Sequence, residues 1–185
     1  MTNLITQSQA IKKEADLVLN KLDLLPILKK YGQTEIVGSY KYDLMLNRDL
    51  DIHLFNPKFD RTLALSIFQD LIKIKGLKKY MFDDWYHWLN SRWPKGYYLG
   101  LKYIHRGNEW KIDIWCLDNQ NTNEKKWSNL IKKNLNDRNR EIILTLKDYR
   151  NKKLPQIPSV DIYQAVLVHN IGNIDQFKTY LKNRK

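Results

Sequence analysis

The stretch "EIVGSYKYDLMLNRDLDIHLF", Glu35 to Phe55, decides the fold. It ends one apolar run on a Gly-Ser step, Gly38 and Ser39, and then sets Asp49 and Asp51 inside "DLDIHLF", whose alternation is the period-two pattern of a strand. Strand side chains two residues apart share a face, so these carboxylates stand roughly 7 Å apart along the strand. Asp is disfavoured in strands, and two like charges on one face repel. A divalent cation resolves the conflict, because Mg2+ accepts one or two carboxylates and completes its shell with water and phosphate oxygens. The alternative is a solvated strand face.

A later run, "EWKIDIWCL", repeats the device with Asp113 between Ile112 and Ile114. If that strand lies beside Asp49 to Phe55, three carboxylates converge, enough to hold two metal ions about 3.5 to 4 Å apart. Lys111 or Lys102 could instead pair with Asp113 across a hairpin. Gly38-Ser39 fits the metal scheme, since Gly lets backbone amides approach a phosphate and a helix over "SYKYDLML" would aim its N-terminus at the anion. Lys41 and Arg48 flank the motif and suit phosphate neutralisation, with solvated surface charge as the alternative.

Hydrophobic-Gly-Ser, nine intervening residues, Asp-hydrophobic-Asp-hydrophobic and a later hydrophobic-Asp-hydrophobic strand together resemble the DNA polymerase beta superfamily of nucleotidyltransferases. The match covers Val37 to Ile52 and Ile112 to Ile114. The resemblance implies that Gly38 and Ser39 hold a nucleoside triphosphate, that Asp49 and Asp51 bind two Mg2+ ions, and that Asp113 binds the catalytic one. It also implies an α+β fold, a mixed sheet with packed helices followed by a helical subdomain, and a helical-subdomain Lys at the triphosphate that no spacing singles out. Asp43 stands where related tRNA CCA-adding enzymes carry an Asp, but Tyr42 replaces their Arg. That activity is not carried over.

Around the motif, Ile11, Ala15, Val18, Leu22 and Leu25 recur at helical spacing from Gln7 to Tyr31, with Pro26 expected to divide the helix. A strand is expected over Glu35 to Gly38 and a helix over Arg61 to Lys75, closed by Gly76. "YYLGLKYIH" and "EWKIDIWCL" around "RGNE" read as a hairpin. "MFDDWYHWLNSRWPKG" reads as strand plus loop, and beyond Asn119 the pattern is helical. This gives a core over residues 1–118 and a helical subdomain over 119–185. Trp85, Trp88, Trp93, Tyr80, Tyr86, Tyr97 and Tyr98 crowd one region, as base-stacking platforms or as packing. His53 shares the face of Asp49 and Asp51, while the four histidines lack metal-ligand spacing.

The 185 residues, 43% apolar, suffice for a real core, and the net charge of +12 favours polyanionic partners. From Asp118 onward there are 14 Lys or Arg against 7 Asp or Glu, so the basic surface leans towards the C-terminal end. The single Cys116 cannot form an internal disulfide and reads as an inert buried thiol. With no signal-like apolar segment near Met1 and no run of membrane-spanning length, a cytoplasmic protein without a membrane partner is expected.

The expected activity is Mg2+-dependent transfer of a nucleoside monophosphate from the triphosphate to a hydroxyl acceptor: RNA, a nucleotide, a protein or a lincosamide-like small molecule. The positive charge disfavours an aminoglycoside. The rival is a noncatalytic module that binds nucleic acid or nucleotide.

Overall fold

The computed structural model describes residues 3–87, 94–120 and 123–183, with only the backbone of 123–125. Helix α1 (Leu4–Lys21) is capped by Asn3, whose side chain accepts the Ile5 N–H at 2.9 Å, and buries Ile11, Ala15 and Val18. The break that follows falls at Asp23, in the left-handed region at φ 49°, rather than at Pro26. Pro26 lies in the first turn of α2 (Leu24–Lys29), where its missing N–H leaves no helical bond unmade.

Strand β1 (Gln33–Val37) precedes a single turn, α3 (Gly38–Lys41), and then β2 (Asp49–Phe55). Helix α4 (Arg61–Leu71) is capped by Asp60, which accepts the Leu63 N–H at 2.7 Å. It ends four residues before the expected Lys75. Gly76, at φ +87°, turns the chain into β3 (Leu77–Asp84), and β4 (Tyr97–His105) and β5 (Asn108–Leu117) form the hairpin. Helices α5 (Asn123–Asn134), α6 (Asp137–Lys153), α7 (Ser159–Leu167) and α8 (Ile174–Asn183) follow. Among the described residues no helix is long and apolar enough to cross a membrane.

The five strands form one sheet in the order β1-β2-β5-β4-β3, with β2 and β5 parallel and the other neighbours antiparallel. The fold is α+β. Alternation sends Leu50, Ile52, Leu54, Ile112, Ile114, Cys116, Leu99 and Leu101 to one face, where they pack with Val18, Leu28, Ile67 and Leu71 of α1, α2 and α4. A second cluster joins Ile131, Ile143, Leu146, Ile162, Val166 and Phe177 from α5 to α8.

The segment from Tyr42 to Arg48 serves both clusters. Met45 packs into the first, while Tyr42 and Leu44 pack into the second. Its carbonyls are taken from both sides: Ser8 of α1 donates to Asp43 O at 2.9 Å, and Arg140 of α6 donates to Tyr42 O and Asp43 O. Asp43 itself is left-handed, at φ 57°.

Candidate active site

Because β2 and β5 are parallel neighbours with Asp51 opposite Asp113 and Asp49 opposite Lys111, the three aspartates emerge on one face. They can each offer an oxygen within 4.8 Å of the others. Asp113 is buried, at 8% exposure. Its Oδ1 accepts from Tyr98 Oη at 2.7 Å and its Oδ2 from Lys111 Nζ, which also stands 4.0 Å from Asp49 Oδ1. Lys102 pairs instead with Glu109.

Asp49 keeps 38% of its side chain open, yet its Oδ1 is enclosed and has no hydrogen-bond partner among the described residues. Burial pushes its carboxyl above the usual range, Lys111 pulls it back and Asp113 pushes it up again. A carboxylate oxygen that is enclosed and without a hydrogen bond, beside two more carboxylates and with the single ammonium of Lys111 shared between Asp49 and Asp113, is a hard-oxygen donor set, so the residues fit a divalent metal ion.

Gly38 opens α3 at φ +66°, and a Cβ there would stand 2.4 Å from Asp51 Oδ2. Only Gly satisfies both the backbone and the approach of the carboxylate. Ser39, Asn47, Asp49, Asp51 and His53 line a cleft of about 330 Å3, within the ~300 to 1,000 Å3 of small-ligand pockets. His53, which follows Asp51 on the same face, is driven down to about 4 by burial and stays neutral.

The opposite wall comes from the helices: Trp127 and Ile131 of α5, Lys147 of α6, and Ser159 and Tyr163 of α7. Lys147 is 3% exposed and donates to Leu44 O at 2.6 Å, beneath the ring of Tyr163 at 5.8 Å. Burial, helped by Arg150, pulls its ammonium down to about 7, while Asp51 and Asp49 draw it upward. One turn on, Arg150 donates to Ser159 Oγ at 2.9 Å and keeps an enclosed Nε without a hydrogen-bond partner among the described residues.

Two of the expected nucleotide ligands lie apart from the cleft wall. Arg48 turns to the other side of β2, where its guanidinium grips Glu14 of α1 at 2.9 to 3.1 Å, and Trp110 Nε1 donates to the same carboxylate at 3.1 Å. Arg48 thus anchors the start of β2, and its carbonyl accepts the Lys111 N–H at 2.9 Å. Lys41 pairs with Glu35 and stands 5.9 Å over the Tyr42 ring. The aromatic group divides by strand alternation. Tyr97 packs with Tyr86 on the α1–α4 side, at 5.0 Å, whereas Tyr98 and Trp85 join Trp115 on the carboxylate side. Tyr80 is 51% exposed, and Trp88 and Trp93 lie outside the described residues. Cys116 is buried on the face away from the carboxylates.

The fold has counterparts among solved structures. A cytoplasmic RNA terminal U-transferase matches at 22% identity and a TM-score of 0.55, over 84% of this chain and 47% of that one. The Cid1 poly(U) polymerase matches at 21% and 0.56, over 84% and 47%. The polymerase core of TRAMP, an RNA surveillance complex, matches at 16% and 0.59, over 91% and 56%. The chain has the fold of the DNA polymerase beta-like nucleotidyltransferases. It spans about half the length of these structures. No protein-family model and no curated protein matches it.

Around the carboxylates and the cleft, the sequence did not single out Lys147, Arg150 and Tyr163, and it offered Tyr98 only within an aromatic group for stacking or packing, without its bond to Asp113. Lys147 carried a readable signal. Ile143, Leu146, Lys147 and Arg150 fall at i, i+3, i+4 and i+7, which places Lys147 on the buried stripe of α6 and the half-buried Arg150 one turn on. Lysine on a buried stripe is rare unless it has a polar task. Tyr98 carried none, since it takes the hairpin register to bring its phenol to Asp113.

Proposed function

We propose that the chain is a Mg2+-dependent nucleotidyltransferase that moves a nucleoside monophosphate from a triphosphate onto the terminal hydroxyl of RNA, releasing pyrophosphate. The observation that carries this reading is the convergence of Asp49, Asp51 and Asp113, the first two of which line a cleft whose opposite wall presents Lys147. The RNA acceptor is supported by the net charge of +12 and by neighbours that are themselves RNA terminal transferases and polymerases.

In this reading Asp49 and Asp51 would hold two Mg2+ ions and Asp113 would add a ligand to one of them. When bound, the ions increase the acidity of the acceptor hydroxyl and neutralise charge on the α-phosphate. Gly38 and Ser39 cradle the triphosphate at the start of α3, and Lys147 supplies positive charge from the opposite wall. The acceptor oxygen bonds to the α-phosphorus, the bond to the bridging oxygen of the β-phosphate breaks, the acceptor proton leaves to water, and pyrophosphate departs. The neutral His53 and Trp115 line the same cleft and add no charge to compete with that pairing.

The test is incubation with each labelled triphosphate, Mg2+ and a panel of RNAs and small hydroxyl compounds. Lengthened RNA with pyrophosphate is the expected result, together with RNA binding that weakens with salt at a log-log slope of about 0.7 per neutralised phosphate. Pyrophosphate release only with a small hydroxyl compound would replace the acceptor. RNA or nucleotide binding without release in any mixture would identify a noncatalytic module.

A further inference from the structure

The β4–β5 hairpin pairs Gly100 with Asp113 and Tyr98 with Trp115, so Tyr98 reaches Asp113 only diagonally. In an antiparallel sheet the residue directly opposite normally fills the space beside its partner. Here that residue is Gly100, and the phenol of Tyr98 occupies the place its side chain would take. A Cβ at Gly100 would stand 2.8 Å from Tyr98 Oη, 3.0 Å from its Cε1 and 3.1 Å from its Cζ. The hydroxyl donates to Asp113 Oδ1 at 2.7 Å, with both residues at 8% exposure. On its other side the ring packs against Trp115, with centroids 5.2 Å apart, and so cannot swing away.

A buried carboxylate with one oxygen fixed in this way has a single orientation. The oxygen left over, Oδ2, is the one that Lys111 reaches, and Lys111 is also the group nearest the enclosed oxygen of Asp49. Oδ2 therefore faces the ground shared with the other carboxylates.

We propose that Tyr98 is a positioning residue for metal binding: through its hydroxyl, and the vacancy left by Gly100, it fixes Asp113 so that Oδ2 faces the cation shared with Asp49 and Asp51. The proposal rests on the metal-dependent reading above and adds to it a residue that never touches the metal. Gly100 and Tyr98 act as a pair, since neither the room nor the donor suffices alone. Partners of metal ligands of this kind typically set affinity by about tenfold to a hundredfold.

The experiment is titration of the whole chain with Mn2+, read from the electron paramagnetic resonance signal of the free ion, for wild type, Asp51→Asn, Tyr98→Phe and Gly100→Ala. Tyr98→Phe keeps the ring against Trp115 and removes only the donor. Wild type should bind Mn2+, Asp51→Asn should abolish binding, and Tyr98→Phe should weaken it about tenfold or more with the metal-free melting temperature close to wild type. In the Asp113→Asn background, Tyr98→Phe should add little, because the group it positions is already altered. If Tyr98→Phe does not fold, Gly100→Ala carries the test, since it displaces the hydroxyl without deleting it and should weaken Mn2+ binding in the same direction. Binding that is lost in Asp51→Asn but unchanged in the folded Tyr98→Phe, or in Gly100→Ala when that carries the test, overturns the positioning role and leaves the metal site standing. Equal weakening by Tyr98→Phe with and without Asp113 overturns it too. No Mn2+ binding by wild type overturns both the metal reading and the role built on it.

Discussion

The two walls of the cleft are held by different means. On the sheet side, Asp49 and Asp51 of the wall and Asp113 beside them are set by strand alternation and by the register of β2 against β5, and Tyr98 and Gly38 crowd close around them. On the helical wall, Lys147 is set by burial in the cluster of α5 to α8, and its main tether is a backbone carbonyl, Leu44 O, rather than a carboxylate. The acidic wall is a short-range construction that can assemble from neighbouring strands. The basic wall is a charge held out of water, which a protein tolerates only where the charge has a use or a partner arrives to meet it.

Four measurements break or sharpen this contrast. On the proposed function, Asp113→Asn should cut single-turnover transfer by about a hundredfold or more, because the ligand assigned to the catalytic ion would be lost, while Mg2+-dependent triphosphate affinity persists. Transfer near the wild-type rate would show that the acidic wall works without Asp113. Lys147→Met should weaken triphosphate binding roughly tenfold to a hundredfold, yet raise the stability of the free protein at pH 7, by on the order of 2 kcal/mol after the loss of the Leu44 carbonyl's donor. A variant that is less stable would mean that the helical wall, like the sheet wall, is simply packing.

Gly38→Ala should destabilise the protein by about 1 to 2 kcal/mol, since it forces φ +66° on a residue with a Cβ pressed against Asp51. Denaturant unfolding measures it, and a neutral result would place Asp51 farther from α3 than the sheet wall requires.

The smallest effect is the pH response of Lys147. Its folded value is about 7 against 10.5 for the ordinary side chain. Between these values the unfolded chain holds a proton that the folded one lacks. This group therefore makes folding more favourable as pH rises from about 7 to about 10.5, and its full cost is felt below about 7. A bound triphosphate favours the ammonium, so binding above pH 7 takes up a proton and affinity falls by at most about tenfold per pH unit. Calorimetry in buffers of different ionisation enthalpy reads the uptake at pH 8. No uptake, or its persistence in Lys147→Met, would remove Lys147 from the nucleotide.

The difference between the walls also explains what the sequence revealed. Asp49 and Asp51 announce themselves because the period of a strand is two and apolar neighbours mark it. Asp113 does so because Ile112 and Ile114 flank it in the same way. The α+β sheet followed from those runs, and the edge strand β3, expected from Met81 onward, begins four residues earlier at Leu77, where "LKKY" lacks strong alternation. Arg48 and Lys41 are close in sequence to the motif, but adjacency along a strand alternates faces and Arg48 turns to Glu14, while Lys41, at the end of α3, turns to Glu35. The helical wall was legible only as a Lys and an Arg on a stripe of α6 otherwise apolar. What they face is decided by how α6 packs, a long-range matter that no local period encodes.

The segment from Tyr42 to Arg48 has a thermodynamic consequence. Met45 belongs to one buried cluster and Tyr42 and Leu44 to the other, and α1 and α6 both hold its carbonyls. Melting either cluster strips the partners from a segment that the other needs, so the free energies of the two are not separate quantities. The chain should lose both together, in one cooperative transition whose calorimetric and van't Hoff enthalpies agree.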